Sequence, residues 1–169
     1  MPDATGPPLV IERVDPATFE SVLPLIADYQ RFYGQDPDES RNRKFFGELL
    51  GDNPHGLQLA ARRGPQVIGF ATLYWLRVST RATSVALLND LFVLPDHRGG
   101  REAGVGMALL RAAARTAGDR GVATLTWETA PDNRSARALY DRFLRGAPDG
   151  AGSSTWVHYE YPLPAEGEQ

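Results

Sequence analysis

Cysteine is absent from the 169-residue chain, so a disulfide, a thiolate metal site and a cysteine nucleophile are all excluded. Lysine is nearly absent: Lys44 stands alone and precedes Phe45, which rules out the G-x-x-x-x-G-K-[ST] phosphate loop of P-loop nucleotidases. No run of about 18 apolar residues occurs, and Met1 to Val10 has neither the basic start nor the apolar stretch of a signal peptide. The expectation is a soluble, cytoplasmic protein with no membrane partner. An excess of positive charge is also missing. Lys and Arg total 18 against 21 Asp and Glu, a net charge of -3, whereas dedicated nucleic-acid domains are strongly basic, so nucleic acid is not an expected partner. His55, His97 and His158 show no ligand spacing, and no metal is expected.

What is present suits one core. A chain that is 42% hydrophobic and 23% charged reads as a single domain over residues 1–169, with 1–8 and 163–169 as flexible ends. Leu9 to Val14 predicts a strand. From Pro16 the spacing of Phe19, Val22, Leu23, Ile26, Tyr29 and Tyr33 predicts a helix face, which Pro24 is expected to interrupt. A turn over 34–40 leads to a second helix at Arg41 to Leu50, then to a hairpin of Leu57–Ala61 and Val67–Trp75, then to a strand from Val85 to Leu94. Gly104 to Gly118 predicts a helix with Val105, Leu109, Ala112, Ala113 and Thr116 on one face. Thr124–Thr129 reads as a strand, Asn133–Phe143 as a helix, and Trp156–Tyr161 as a last strand.

The most informative stretch is 91–106, where an apolar strand runs through a basic, glycine-rich turn into a helix. Such a turn presents free backbone N–H groups at the positive end of a helix dipole, beside the guanidinium groups of Arg98 and Arg101, which suits a phosphate or pyrophosphate. A plain strand-to-helix loop would show glycines as well. The pattern, however, has a second part: Asn133-x-x-Ala136-x-x-Leu139-Tyr140, which places a small residue and an aromatic on one helical stripe. Taken singly, Tyr140 reads as a core residue and Asn133 as a helix cap.

Together, Val93-x-Pro95-x-x-Arg98, Arg101-x-x-Gly104-x-Gly106 and the Asn133–Tyr140 motif resemble the GNAT superfamily of N-acetyltransferases over Val85 to Phe143. The resemblance implies an α/β (α+β) fold: a central mixed, mostly antiparallel sheet flanked by helices on both faces, its central strands splayed around acetyl-coenzyme A as cosubstrate. It sets the thioester beside Leu91, Phe92 and Val93. It sets the pyrophosphate on Arg101, Glu102, Ala103, Gly104, Val105, Gly106 and Met107, with Asn133 at the start of the following helix. Counted from Pro95 the motif arginine is Arg98, and counted back from Gly104 it is Arg101, because this loop is about three residues longer than the family's usual one. Leu144-Arg145 also stand where the family usually carries Gly-Phe.

Acetyl transfer to an amine needs the neutral nucleophile. At pH 7 an alkyl amine of pKa about 10.4 is neutral in about one molecule in 2,500, a cost of roughly 4.6 kcal/mol that a base or a desolvating pocket must reduce. Asp90 and Glu128 are the candidate bases. Asn89-Asp90 resembles the Glu-Asp pair of polyamine acetyltransferases, and strand alternation offers the cleft only one of the two unless the strand bulges. Asp90 is the expected base, with Asn89 as a water-orienting alternative. Tyr140 stands at the family's acid position, where a phenol near pKa 10 can protonate a departing thiolate whose thiol has a pKa near 8.5. Backbone N–H groups at Leu91 to Val93 are candidate oxyanion donors. With no cysteine, direct transfer in a ternary complex is favoured over an acyl-enzyme.

The acceptor side falls on Tyr29, Phe32, Tyr33, Asp36, Asp38 and Glu39, where rings and acids suit a cationic amine. An amphipathic helix followed by a solvated loop is the simpler reading of the same residues. The expected acceptor is the primary amine of a small molecule or a peptide. Homodimers are common in the superfamily, although the sequence carries no interface signal. A non-catalytic acyl-coenzyme A sensor is the competing reading. A dinucleotide-binding domain is disfavoured because no compact G-x-G-x-x-G follows an early strand.

Overall fold

The computed structural model of the protein describes residues 6–99 and 104–163. Among them, strands and α-helices follow in the order β1 (Leu9–Arg13), α1 (Pro16–Phe32), α2 (Glu39–Gly47), β2 (Gly56–Arg63), β3 (Gln66–Val78), β4 (Thr83–Val93), α3 (Val105–Asp119), β5 (Leu125–Thr126) and α4 (Arg134–Leu144). The strands form one sheet in sequence order, antiparallel from β1 to β4 and parallel between β4 and β5. Helices cover both faces. On one, α1 and α2 bury Phe19, Val22, Ile26 and Phe46 against Phe70 and Phe92; on the other, α3 buries Val105, Leu109 and Ala113 against Ile68, Leu73 and Leu88. Because it lies between both layers, β3 is buried without interruption from Val67 to Leu73.

Local chemistry starts the helices near the site. Asp15 accepts from the Thr18 amide at 2.8 Å at the head of α1, and Asp38 accepts from the Arg41 amide at 2.7 Å at the head of α2. The end of α1 is then fixed from the side. Gln30 and Asn42 exchange two amide hydrogen bonds of 2.8 Å, which hold α2 against the turn of α1 that carries Tyr29, Phe32 and Tyr33.

Four expectations are corrected. Pro24 does not interrupt α1, because it sits on the solvent face, where the carbonyl it leaves without an intrahelical donor meets water and the apolar face packs undisturbed. Helix α2 starts at Glu39 and stops at Gly47, since its cap is Asp38 and the chain turns before Leu50. Strand β5 is two residues long rather than six, because it leaves β4 after Thr126. The last strand at Trp156–Tyr161 does not form. Trp156 is 86% exposed, residues 151–163 carry no regular structure, and a two-residue β5 offers too short an edge to propagate a ladder.

The packing gives a direct test. Leu109, fully buried between α3 and the sheet, is expected to cost about 2–5 kcal/mol when replaced by Ala, whereas the half-exposed Leu76→Ala stays within about 0.5 kcal/mol, both read from urea denaturation.

Candidate active site

Strand β4 is held along one edge by β3 and left open along most of the other. Its parallel pairing with β5 comprises Ala86↔Leu125 and Leu87↔Thr126. Beyond Thr126 the chain turns to α4, where Trp127 packs on the rings of Tyr140 at 5.6 Å and Phe143 at 6.0 Å. The gap between the diverging segments is a cavity of about 530 Å³. One wall is β4, from Leu88 to Val93; the facing wall is α4, with Asn133, Ala136, Leu139 and Tyr140. Tyr29, Phe32 and Tyr33 of α1 close one end, and Arg98 and Gly106 stand at the glycine turn.

The backbone of β4 explains what this opening offers. The Leu94 N–H donates to Ile68 of β3 at 2.9 Å. Successive strand residues turn their N–H and C=O to opposite edges, so those of Leu91 and Val93 face the gap. The Val93 carbonyl there accepts from Arg98 Nε, and the Arg98 guanidinium lies 5.1 Å from the Phe92 ring centroid and 5.9 Å from that of Phe32. At the other end of the turn, Gly104 heads α3 without a side-chain cap, which leaves the first-turn amides of Val105, Gly106 and Met107 for an anion. Gly106 lets α4 come close, since a Cβ there would meet Leu139 Cδ2 at 3.0 Å and push that side chain aside.

The register of β4 breaks where the chemistry was expected. Thr72 pairs with Asp90 and Leu73 with Leu88, so Asn89 is the extra residue of a β-bulge. Asn89 lines the cavity, whereas Asp90 turns under α1 and is 7% exposed. Burial holds the Asp90 carboxyl above the ordinary carboxylate range, opposed by hydrogen bonds from Thr72, Tyr29 and Asn89, the last at 3.0 Å. Burial likewise raises the Tyr29 hydroxyl well above its usual value, with the Asp90 charge adding to the shift, and pushes Tyr74 up to about 12. Tyr140 is also raised, first by burial and then by Tyr33 across the cavity.

A cleft between splayed strands, with amides at a glycine turn and a tyrosine opposite, agrees with the family comparisons. The model of the acetyltransferase (GNAT) family matches residues 20–144. The chain belongs to the GNAT family of acetyltransferases. It is 35% identical over 146 residues to the uncharacterized N-acetyltransferase YhfO of Bacillus subtilis strain 168, an alignment covering 86% of this chain and 92% of that one. Among solved structures it resembles a probable acetyltransferase, with TM-score 0.75, 23% identity and coverage of 93% of this chain and 99% of the other. It also resembles aminoglycoside N-acetyltransferase AAC(6')-Iy in complex with CoA, with TM-score 0.73, 20% identity and coverage of 94% and 97%.

Within this GNAT domain, the sequence-predicted residues are only partly brought together. Asn89, Leu91, Phe92, Val93, Arg98, Gly106, Glu128, Asn133 and Tyr140 line the cavity. Asn133 is also the α4 cap, accepting from the Ala136 amide at 3.2 Å. Val105 is buried in the core, and Gly104 and Met107 border the neighbouring groove. Arg101, Glu102 and Ala103 lie outside the described residues. Of the acceptor-side candidates, the three rings reach the cavity and the acids do not: Asp38 caps α2, and Glu39 pairs with Arg43 on the surface at 2.8 Å. Arg142 and Ser135 line the cavity unannounced by any motif; two residues after and five before Tyr140, they lie off its helical stripe, so no periodic signal pointed to them. Among the described residues, no group of three or more His, Cys, Asp or Glu is placed to hold a metal ion, and no helix is long and apolar enough to cross a membrane.

The raised Asp90 has a measurable consequence. The folded chain binds this proton more tightly than the unfolded chain, so stability is greatest below the ordinary carboxylate value and declines as pH rises from there through the folded value. Asp90→Asn buries no charge. It is expected to melt higher than the parent at pH 7, with the difference shrinking as pH falls through the raised folded value and levelling off below about 4, by scanning calorimetry across pH.

Proposed function

We propose that this acetyltransferase binds acetyl-coenzyme A in the gap between β4 and α4 and transfers the acetyl group directly to a primary amine of a small molecule. The observation that carries the reading is the open β4 edge, whose Leu91 and Val93 amides face the gap that Tyr140 lines from α4. Amides so placed stabilise charge developing on the thioester oxygen, a contribution that grows in a site drained of water. Leu91, Phe92 and Val93 lie along the thioester arm. The pyrophosphate is held at the head of α3 by the amides of Val105, Gly106 and Met107, with Arg98 as a cation lining the cavity; Gly104 leaves those amides uncapped.

The amine attacks the thioester carbon, the carbon–nitrogen bond forms, and the oxygen takes the negative charge. Collapse breaks the carbon–sulfur bond, and Tyr140 gives its hydroxyl proton to the leaving sulfur. Its raised pKa keeps it protonated until that moment. On the amine side, Asp90 is the proton acceptor, and Asn89, which donates to it at 3.0 Å, is the member of the pair that lines the cavity.

A small acceptor is favoured because the cavity is bounded by α1, β4 and α4, and because Asp38 and Glu39, which would have drawn a basic peptide, are engaged on α2. Tyr29, Phe32 and Tyr33 offer ring faces to a cation. Titration calorimetry is expected to give acetyl-coenzyme A a Kd on the order of micromolar. Thiol release with a panel of alkyl amines, polyamines, aminoglycosides, amino acids and basic peptides identifies the acceptor. Tyr140→Phe is expected to lose about ten- to a hundredfold in kcat while holding acetyl-coenzyme A as tightly as the parent. Binding without turnover on any acceptor would make the domain an acyl-coenzyme A sensor.

A further inference from the structure

Arg98 is one of two arginines that the glycine turn offers to a diphosphate, yet its guanidinium lies on the α1 face of the sheet. It stands 5.1 Å from the ring centroid of Phe92 and 5.9 Å from that of Phe32. Phe92 packs beneath α1 with Phe70 and Val22, and Phe32 is the last residue of α1. The uncapped head of α3 belongs to the opposite face, where Val105 packs with Leu88 and Leu109. Arg98 therefore stands at the acceptor wall, and the count back from Gly104 selects Arg101 instead as the arginine of the anion turn.

The side chain is fixed without using the donors that recognise an anion. Its Nε donates to the Val93 carbonyl, and the two rings hold the guanidinium by cation–π and apolar contact. A guanidinium has five N–H donors, so four remain on the two Nη atoms, and a pair of them matches the two oxygens of a carboxylate. Arg98 makes no ion pair with a described carboxylate; the ion pairs among the described residues join Arg31, Arg43 and Arg62 to acids elsewhere. It is exposed and lines the cavity, so an incoming molecule can reach it.

The rest of the lining does not neutralise this charge. Besides His97, its other titratable acids and bases are Glu128, just after β5, and Arg142 of α4, one of each sign and both on the segments that face β4. Asp90 is buried under α1 outside the lining, and Asp38 and Glu39 are engaged on α2. A polycation is poorly received here, because the place between Phe32 and Phe92 that a second ammonium would seek already holds a cation of the chain. Tyr29 and Tyr33 remain for the amine itself.

We infer that the acceptor is a small amino acid, its carboxylate gripped by the two Nη atoms of Arg98 while its amine is turned to the thioester. The inference rests on the acetyltransferase reading above and narrows it. The carboxylate takes no part in the transfer. It decides which end of the acceptor points at Leu91 and Val93, so that binding far from the reacting nitrogen serves to orient it. Arg98 is then a specificity residue, with Phe32 and Phe92 as the positioning residues that hold it.

The test uses the full chain, acetyl-coenzyme A and matched acceptors: α-, β- and γ-amino acids, their primary amides, the amines left when the carboxylate is removed, and polyamines. Thiol release gives kcat/KM for each. The best amino acid is expected to exceed its own amide about tenfold, a modest ratio for a two-pronged charge pair because Arg98 is open to water. Arg98→Gln is expected to bring that ratio to within about twofold of one, mainly through the KM of the acid, and Arg98→Lys to restore only part of it, since an ammonium lacks the fork. Phe32→Leu, at a position 60% exposed, removes one ring from the guanidinium and is expected to raise the same KM about threefold. Amides or polyamines that react as fast as the acids overturn the inference and leave the acetyltransferase reading standing. An Arg98→Gln variant that keeps the acid preference does the same, as does one whose main loss is an acetyl-coenzyme A Kd about tenfold weaker by calorimetry, which returns Arg98 to the diphosphate. A parent that releases no thiol with any acceptor brings down the acetyltransferase reading, and this inference with it.

Discussion

Two ladder pairs join β4 to β5, and the site exists because there are no more. Strand β4 is committed on its other edge to ten register partners in β3, so it cannot swing to follow β5 as the chain leaves. Trp127 meanwhile packs on Tyr140 and Phe143, which draws the chain after Thr126 toward α4. The outcome is a strand whose backbone is exposed along one edge inside the molecule. Such an edge is a liability in most folds, because buried peptide groups must be bonded to something. Here that edge borders the cavity that α4 closes from the other side. The glycine turn continues the theme, since the head of α3 carries no capping side chain and Gly106 lets α4 approach closely.

A single extra residue in the same strand divides the polar chemistry between two layers. Without the bulge at Asn89, strict alternation would still send Asn89 and Asp90 to opposite faces, but the register with Thr72 on one side and Leu73 on the other could not both hold. With it, Asn89 reaches the cavity and Asp90 meets Thr72, Tyr29 and Tyr74 beneath α1. A carboxylate in that position destabilises the fold, and its three donors offset only part of the cost. Its raised proton affinity makes it a better base than an exposed acid of the same type.

The aromatic residues at the end of α1 link these two regions. Tyr29 packs edge-on to Phe70 and Phe92 at 5.8 Å, which ties the helix to β3 and β4 at the level of the bulge. The Gln30–Asn42 amide pair sits one residue further along and braces the same turn from α2. This wall of the cavity is therefore anchored to the core, although Phe32 and Tyr33 themselves are exposed.

Much of this was written locally. Apolar spacing marked the faces of α1, α3 and α4, and the Asn133 cap opened α4; each is a signal within about one to four turns of chain, where periodicity and capping act. The acid cluster at 36–39 left two readings open, because charge alone does not say whether a carboxylate caps a helix or lines a pocket; Asp38 caps α2. Pro24 misled because its effect depends on which face meets water. What only the tertiary structure decided was the length of β5, the bulge at Asn89 and the Gln58–Thr72–Asp90–Tyr29 network. Those depend on strands and a helix far apart in sequence, whose packing sets register and hydrogen-bond partners that no local pattern encodes.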